Sequence, residues 1–135
     1  MNTRDLASYL SHHRTPEGYT FECQHIDGEV QVLQVEMNGF EGFPVFVTST
    51  AHQILCVIYL WTEAEIIPEL RKDMLDMMLD TSIAIPLSSY ARVGDRYVLF
   101  GALSVASDFD RLVEELVTLN ENALDVLFAM DDFLR

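Results

Sequence analysis

Between Tyr19 and Trp61 the apolar residues recur largely at every second position, whereas before and after that stretch they recur every three or four. A period of two sends side chains alternately to the two faces of a strand, and a period near 3.6 builds one stripe along a helix. A chain with its strands grouped and its longest helix last packs helices onto an antiparallel sheet, rather than alternating strand and helix around a parallel one. One α+β domain over residues 1–135 is expected. Half of those residues are hydrophobic, enough for one core and too many for a disordered segment.

Residues 2–13 read as a first helix, capped by Asn2 or Thr3, with Leu6, Tyr9, Leu10 and His13 on one face. Tyr19 to His25 alternates as a strand, and Asp27-Gly28 predicts a two-residue hairpin turn. In the return strand, Glu29 to Met37, the apolar parity switches near Val32-Leu33, which predicts a bulge or a strand covered on both faces. Residues 44–49 and 53–61 are two more strands, the second apolar enough to lie centrally. Thr62-Glu63-Ala64-Glu65 has the form of a capping box, ahead of a second helix opened by Pro68 and running to Asp80. Leu70, Met74, Met77 and Met78 make its expected buried stripe, broadened by Leu75 and Leu79. Ile83 to Leu87 reads as a short strand kept at an edge by Pro86. Gly94-Asp95 then turns the chain into a strand from Arg96 to Val105, and Ser107 caps the closing helix. The order is α-β-β-β-(β)-α-β-β-α, helices packed on an antiparallel sheet.

Charge narrows the partners. Twenty-two Asp and Glu stand against eight Lys and Arg, a formal charge of -14. Such a surface repels phosphate backbones, so nucleic acid is excluded as a partner, and docking on anionic lipid through a basic face is disfavoured. The start Met1-Asn2-Thr3-Arg4-Asp5 carries an acid and no apolar segment follows it, so no secretory signal is read there. Ile54 to Trp61 is too short for a membrane span, which needs about 20 residues. The expectation is a cytoplasmic protein without direct membrane insertion.

Chemistry-bearing motifs are sparse. The glycines are scattered singly, and no Gly-rich phosphate loop, G-x-S-x-G or Cys-x-x-Cys occurs. Cys23 and Cys56 read as buried thiols acting as small hydrophobes. Cys23 and His25 share a strand face, as two metal ligands could, but no third ligand accompanies them, so no metal and no cofactor are expected. Glu114-Glu115 and Asp131-Asp132 point in diverging directions on a helix and read as solvated faces rather than an acid/base pair. No catalytic residue is assigned.

Binding chemistry is better represented. Phe40 and Phe43 sit in a Gly-rich loop, where they either cap the sheet from inside or anchor a partner from outside. The closing helix has a main apolar stripe from Phe109 to Met130 and a displaced second one of Val117, Leu124 and Phe128, more apolar surface than one side of a sheet covers. Asp73, Asp76 and Asp80 line one side of the second helix with Glu69, relieved only by Arg71 and Lys72. That ridge serves solubility or attracts a basic segment. Phe40, Phe43, Val117, Leu124, Phe128, Asp73 and Asp76 are the candidate contacts.

The helix Pro68–Asp80, the strands after it and the closing helix from Ser107 give an order similar to class I type III secretion chaperones and to YbjN-type proteins. This is a resemblance of architecture over nearly the whole chain, carried by no diagnostic motif. The stretches Ile85-Pro86-Leu87-Ser88-Ser89-Tyr90 and Tyr97 to Ser104 resemble the YjfI-like family of uncharacterised bacterial proteins, whose genes often neighbour PspA-type membrane-stress proteins. The chaperone resemblance implies a homodimer through the second helix or an exposed sheet edge. Together these point to a small, acidic, non-enzymatic binding protein, a chaperone or adaptor that holds a basic or amphipathic segment of a partner. Two alternatives remain open: a regulator of envelope stress acting with a PspA-like protein, and a small-ligand carrier or enzyme with a pocket between sheet and helices.

Overall fold

The computed structural model of the chain describes residues 2–135. Its elements are α1 (Thr3–Ser11), β1 (Phe21–Ile26), β2 (Val32–Met37), β3 (Val45–Ser49), β4 (Ile54–Thr62), α2 (Arg71–Ser82), β5 (Ser89–Val93), β6 (Arg96–Leu103) and α3 (Phe109–Ala129). The strands form one antiparallel sheet in the order β1-β2-β3-β4-β6-β5, with β4 central as its composition requires. This is the expected α+β order, with all four strands present before α2.

Helices α1 and α3 cover one face of the sheet, α1 over β1 to β3 and α3 over β3, β4 and β6. Asn2 caps α1 by accepting the Asp5 N–H at 2.8 Å, and the helix buries Leu6 and Leu10. From α3, Leu112, Leu116, Leu119 and Ala123 meet Leu33, Val47, Cys56, Ile58 and Leu99 in a single core. A bulge between Tyr59 and Trp61 brings Trp61 onto this same face, where its ring stacks on Tyr97 at 5.9 Å.

The first hairpin departs from its expected form. Ile26 pairs with Val32, so residues 27–31 make the connection and Val30 lies exposed outside the strand. A two-residue turn at Asp27-Gly28 would pair Ile26 with Glu29 and send Val30 and Val32 inward. The longer loop instead buries Leu33, Val35 and Met37, because an odd shift of register flips every side chain of a strand. No bulge at Val32-Leu33 is then needed.

Glu65 accepts both the Thr62 N–H at 3.0 Å and the Thr62 hydroxyl at 3.1 Å, so the capping-box residues do interact, around a single 3₁₀ turn. Pro68 opens a further 3₁₀ turn that leads into α2. Only Met74 and Met78 of that helix are buried. Leu79, expected inside, is 78% exposed, since α2 packs over the β5 edge of the sheet rather than over its middle. Residues 83–87 are turns, not a strand: Pro86 offers no N–H, and Leu87 adopts a left-handed backbone at φ 63°. The cap of α3 is Asp108, which accepts the Arg111 N–H at 2.9 Å, one residue beyond the expected Ser107.

Candidate functional site

The outward side of α3 is where exposed apolar groups and unpaired acids meet. Its inner stripe is committed to the core, which leaves Val117 half-buried, Leu124 54% exposed and Phe128 87% exposed. Helical spacing interleaves these three with Asp110, Glu114, Glu121 and Asp125, all exposed. The start of this surface is fixed by Tyr9 of α1, which stacks on Phe109 at 4.5 Å and donates its hydroxyl to Asp110 at 3.1 Å.

A cleft opens on each side of the ridge. One, of about 430 Å³, lies between α3 and the connection after α1, with His13, Pro16 and Glu17 facing Glu114, Val117 and Glu121. The other, of about 260 Å³, lies between α2, the 83–88 turn and α3, and is lined by Met77, Ile85, Pro86, Tyr90, Asp125 and Val126. Asn122 holds that turn against α3 by donating to the Pro86 carbonyl at 2.7 Å and to the Ser88 hydroxyl at 3.0 Å.

The acids of the ridge keep their charge available. Among the described residues the ion pairs are Arg71–Glu63 at 2.8 Å and Lys72–Asp76 at 2.9 Å, and neither uses a carboxylate of α3. Asp73 and Asp76 both stand exposed on α2, but Lys72 neutralises Asp76. Phe40 and Phe43 part company. Phe40 is half-buried, packs on the core and meets Tyr19 edge-on at 6.0 Å, whereas Phe43 is 37% exposed. Neither ring lines the clefts beside α3. The seven candidate residues thus divide among α3, α2 and the β2–β3 loop.

Glu115 corrects the reading of the Glu114-Glu115 pair as a solvated face. Glu114 is exposed, but Glu115 is buried against Gly101 of β6, and its Oε1 has no hydrogen-bond partner. Burial, and then the neighbouring Glu114 charge, push its carboxyl above the usual range. The residues lining the α2–α3 cleft were not singled out from sequence. Met77, expected in the buried stripe of α2, instead lies on its flank, half-buried, and borders this groove. Among the described residues no group of three or more His, Cys, Asp and Glu could hold a metal ion, and His25 is exposed.

A second exposed apolar zone runs from the end of α2 to the sheet edge. Leu79, Ile83, Leu87 and Val93 are between 53% and 94% exposed. Beside them, a groove of about 350 Å³ between α2 and β5 is lined by Leu75, Met78, Tyr90 and Arg92. No helix among the described residues is long and apolar enough to cross a membrane.

The fold is similar to that of solved proteins at low sequence identity. YbjN from E. coli aligns with a TM-score of 0.63 at 12% identity, covering 96% of this chain and 88% of that one. A chain of the heterodimeric ExoU–SpcU complex from the type III secretion system of Pseudomonas aeruginosa aligns with a TM-score of 0.58 at 12% identity, covering 93% and 94%. Both agree with the architecture expected from the order of elements. A search of the curated proteins finds no match. The family described as uncharacterized protein conserved in bacteria (DUF2170) matches residues 1–134, and the chain belongs to that bacterial family.

Proposed function

We propose that this protein is a non-enzymatic, cytoplasmic, chaperone-like binding protein whose α3 ridge holds a basic or amphipathic segment of a partner protein. The observation that carries the reading is the row of half-buried Val117 and exposed Leu124 and Phe128, interleaved with Glu114, Glu121 and Asp125. Apolar groups supply affinity in such a surface, while the acids speed encounter and discriminate against acidic segments. The similarity to a chain of nearly the same length that works within a heterodimeric secretion complex supports it. The exposed Leu79, Ile83, Leu87 and Val93 would serve a homodimer through α2 and the β5 edge.

A second reading, action on a PspA-like protein in envelope stress, draws on the spacing of Val117, Leu124 and Phe128, seven and then four residues apart. A helical partner such as a coiled coil would meet all three along one line.

Affinity purification from the source cells tests the proposal, with the chain compared with a Leu124→Ser/Phe128→Ser variant. One dominant partner that raised salt releases, and that the folded variant no longer holds, is the expected result. Retention of the same partner by the variant would remove α3 from the account, and the partner's identity separates a chaperone client from a PspA-like protein.

A further inference from the structure

The helices cover only one face of the sheet, yet the middle of the opposite face is apolar. Phe46, Leu55, Val57, Tyr59, Val98 and Phe100 alternate with core residues and therefore point away from α1 and α3. The register sets Phe46, Val57 and Phe100 in one row and Tyr59 and Val98 in the next. Val98 is 1% exposed although it belongs to no part of the helix-side core, so this face packs on itself. Phe46 meets Tyr59 edge-on at 5.5 Å, and Tyr59 remains 37% exposed. A sheet face left to water normally turns polar side chains outward. The apolar ones here lie on β3, β4 and β6, the same three strands that α3 spans on the other side.

Charge gives this face a direction. Toward the β1–β2 edge, Glu22 stands directly across from Glu36, and both border a recess of about 110 Å³ with Glu41. Like charges placed opposite each other across strands repel, and a cation supplied between them would relieve the repulsion. Among the described residues neither glutamate is in an ion pair. On the patch itself, away from the glutamates, the Arg96 guanidinium of β6 lies 5.1 Å from the centre of the Tyr59 ring, so the cations of an occupant belong at the glutamate end.

We propose that this open face docks one amphipathic helix of a basic partner protein, with its apolar side on Phe46, Val57, Tyr59 and Phe100 and Lys or Arg residues at the end over Glu22 and Glu36. The apolar patch crosses three strands, about 10 Å of sheet, which a helix of about three turns covers. A second copy is the poorer occupant of this face, since its own matching face brings the same glutamate pair. The site shares no residue with the α3 ridge and does not depend on it.

The test titrates the full-length, ¹⁵N-labelled chain with a synthetic helical peptide that has leucines on one side and two arginines at one end. Amide shifts should centre on Val57, Tyr59, Val98 and Phe100, and Glu22→Gln/Glu36→Gln should weaken binding about tenfold or more. Tyr59→Ser and the shape-conserving Val57→Thr should weaken it likewise, so a folding failure in one leaves the other to decide. Leu124→Ser/Phe128→Ser should bind the peptide as the parent does. Absence of binding, shifts centred on α3, equal binding of a peptide with glutamates in place of the arginines, or a self-dimer lost in Tyr59→Ser would each overturn the proposal.

Discussion

Gly101 on β6 leaves open the space that the carboxyl group of Glu115 on α3 fills: a methyl group on Gly101 would lie 2.6 Å from the Glu115 Cδ. The seat of the Glu115 carboxyl against the sheet therefore depends on the absence of a side chain at this position of β6. Gly101→Ala should destabilise the fold by about 1 kcal/mol, at the low end for overpacking, because the added methyl meets the movable end of the Glu115 side chain and no backbone. Urea titration of the single variant and of Gly101→Ala/Glu115→Ala checks this. The second change should restore part of the loss, and strict additivity would show that the two residues do not share this space.

Glu115 also ties stability to pH. Its folded carboxyl is raised above the ordinary 4.5, chiefly by burial and secondarily by Glu114. The folded state then holds the proton more tightly than the unfolded chain, so stability falls as pH rises from 4.5 through the raised value. Glu115→Gln lacks this penalty. It should melt above the parent at neutral pH, with the gap closing as pH drops below 4.5, and a gap independent of pH would contradict the assignment.

The two loop phenylalanines should separate by stability. Phe40→Ala removes a half-buried ring packed on the core and on Tyr19, for a loss of about 2 kcal/mol, below the range for fully buried rings. Phe43→Ala removes a ring that is 37% exposed and should lose less than about 1 kcal/mol. Equal losses in denaturant titrations would mean that both rings belong to the core.

Neither thiol should react readily in the native chain. Burial pushes Cys23 up to about 11, and it raises Cys56 further, with help from the Glu115 charge. At about pH 8 a disulfide-exchange reagent should meet no fast thiol until the protein unfolds, and then two. Cys56 is buried as expected but Cys23 only half-buried, so a rapid reaction of Cys56 in the native chain would overturn this.

On α3, substitution of the exposed apolar groups should leave the fold intact. Leu124→Ser/Phe128→Ser should shift stability by less than about 1 kcal/mol, because neither side chain is seated in the core. A large loss of melting temperature would turn the ridge into a structural element and weaken its proposed role in binding.

Periodicity made the elements legible, because alternation from Tyr19 to Trp61 and helical stripes elsewhere are local properties of the chain. The Glu115 position was not legible. Adjacent glutamates on a helix look alike until a neighbouring strand supplies a glycine opposite one of them. The 83–87 segment departs from a strand for a related reason: its apolar residues suit one, but Asn122, 36 residues from Pro86, holds a turn in place.

Charge and the period of most segments are local properties of the chain, and they carried the kinds of element and nearly all of their order. The register of the first hairpin, the exposure of Leu79 and Phe128, and the helix-free face around Val57 follow from packing between elements distant in the chain. Those depend on which surfaces meet across the sheet, and the free energy of burial is set by that meeting rather than by the identity of the residue.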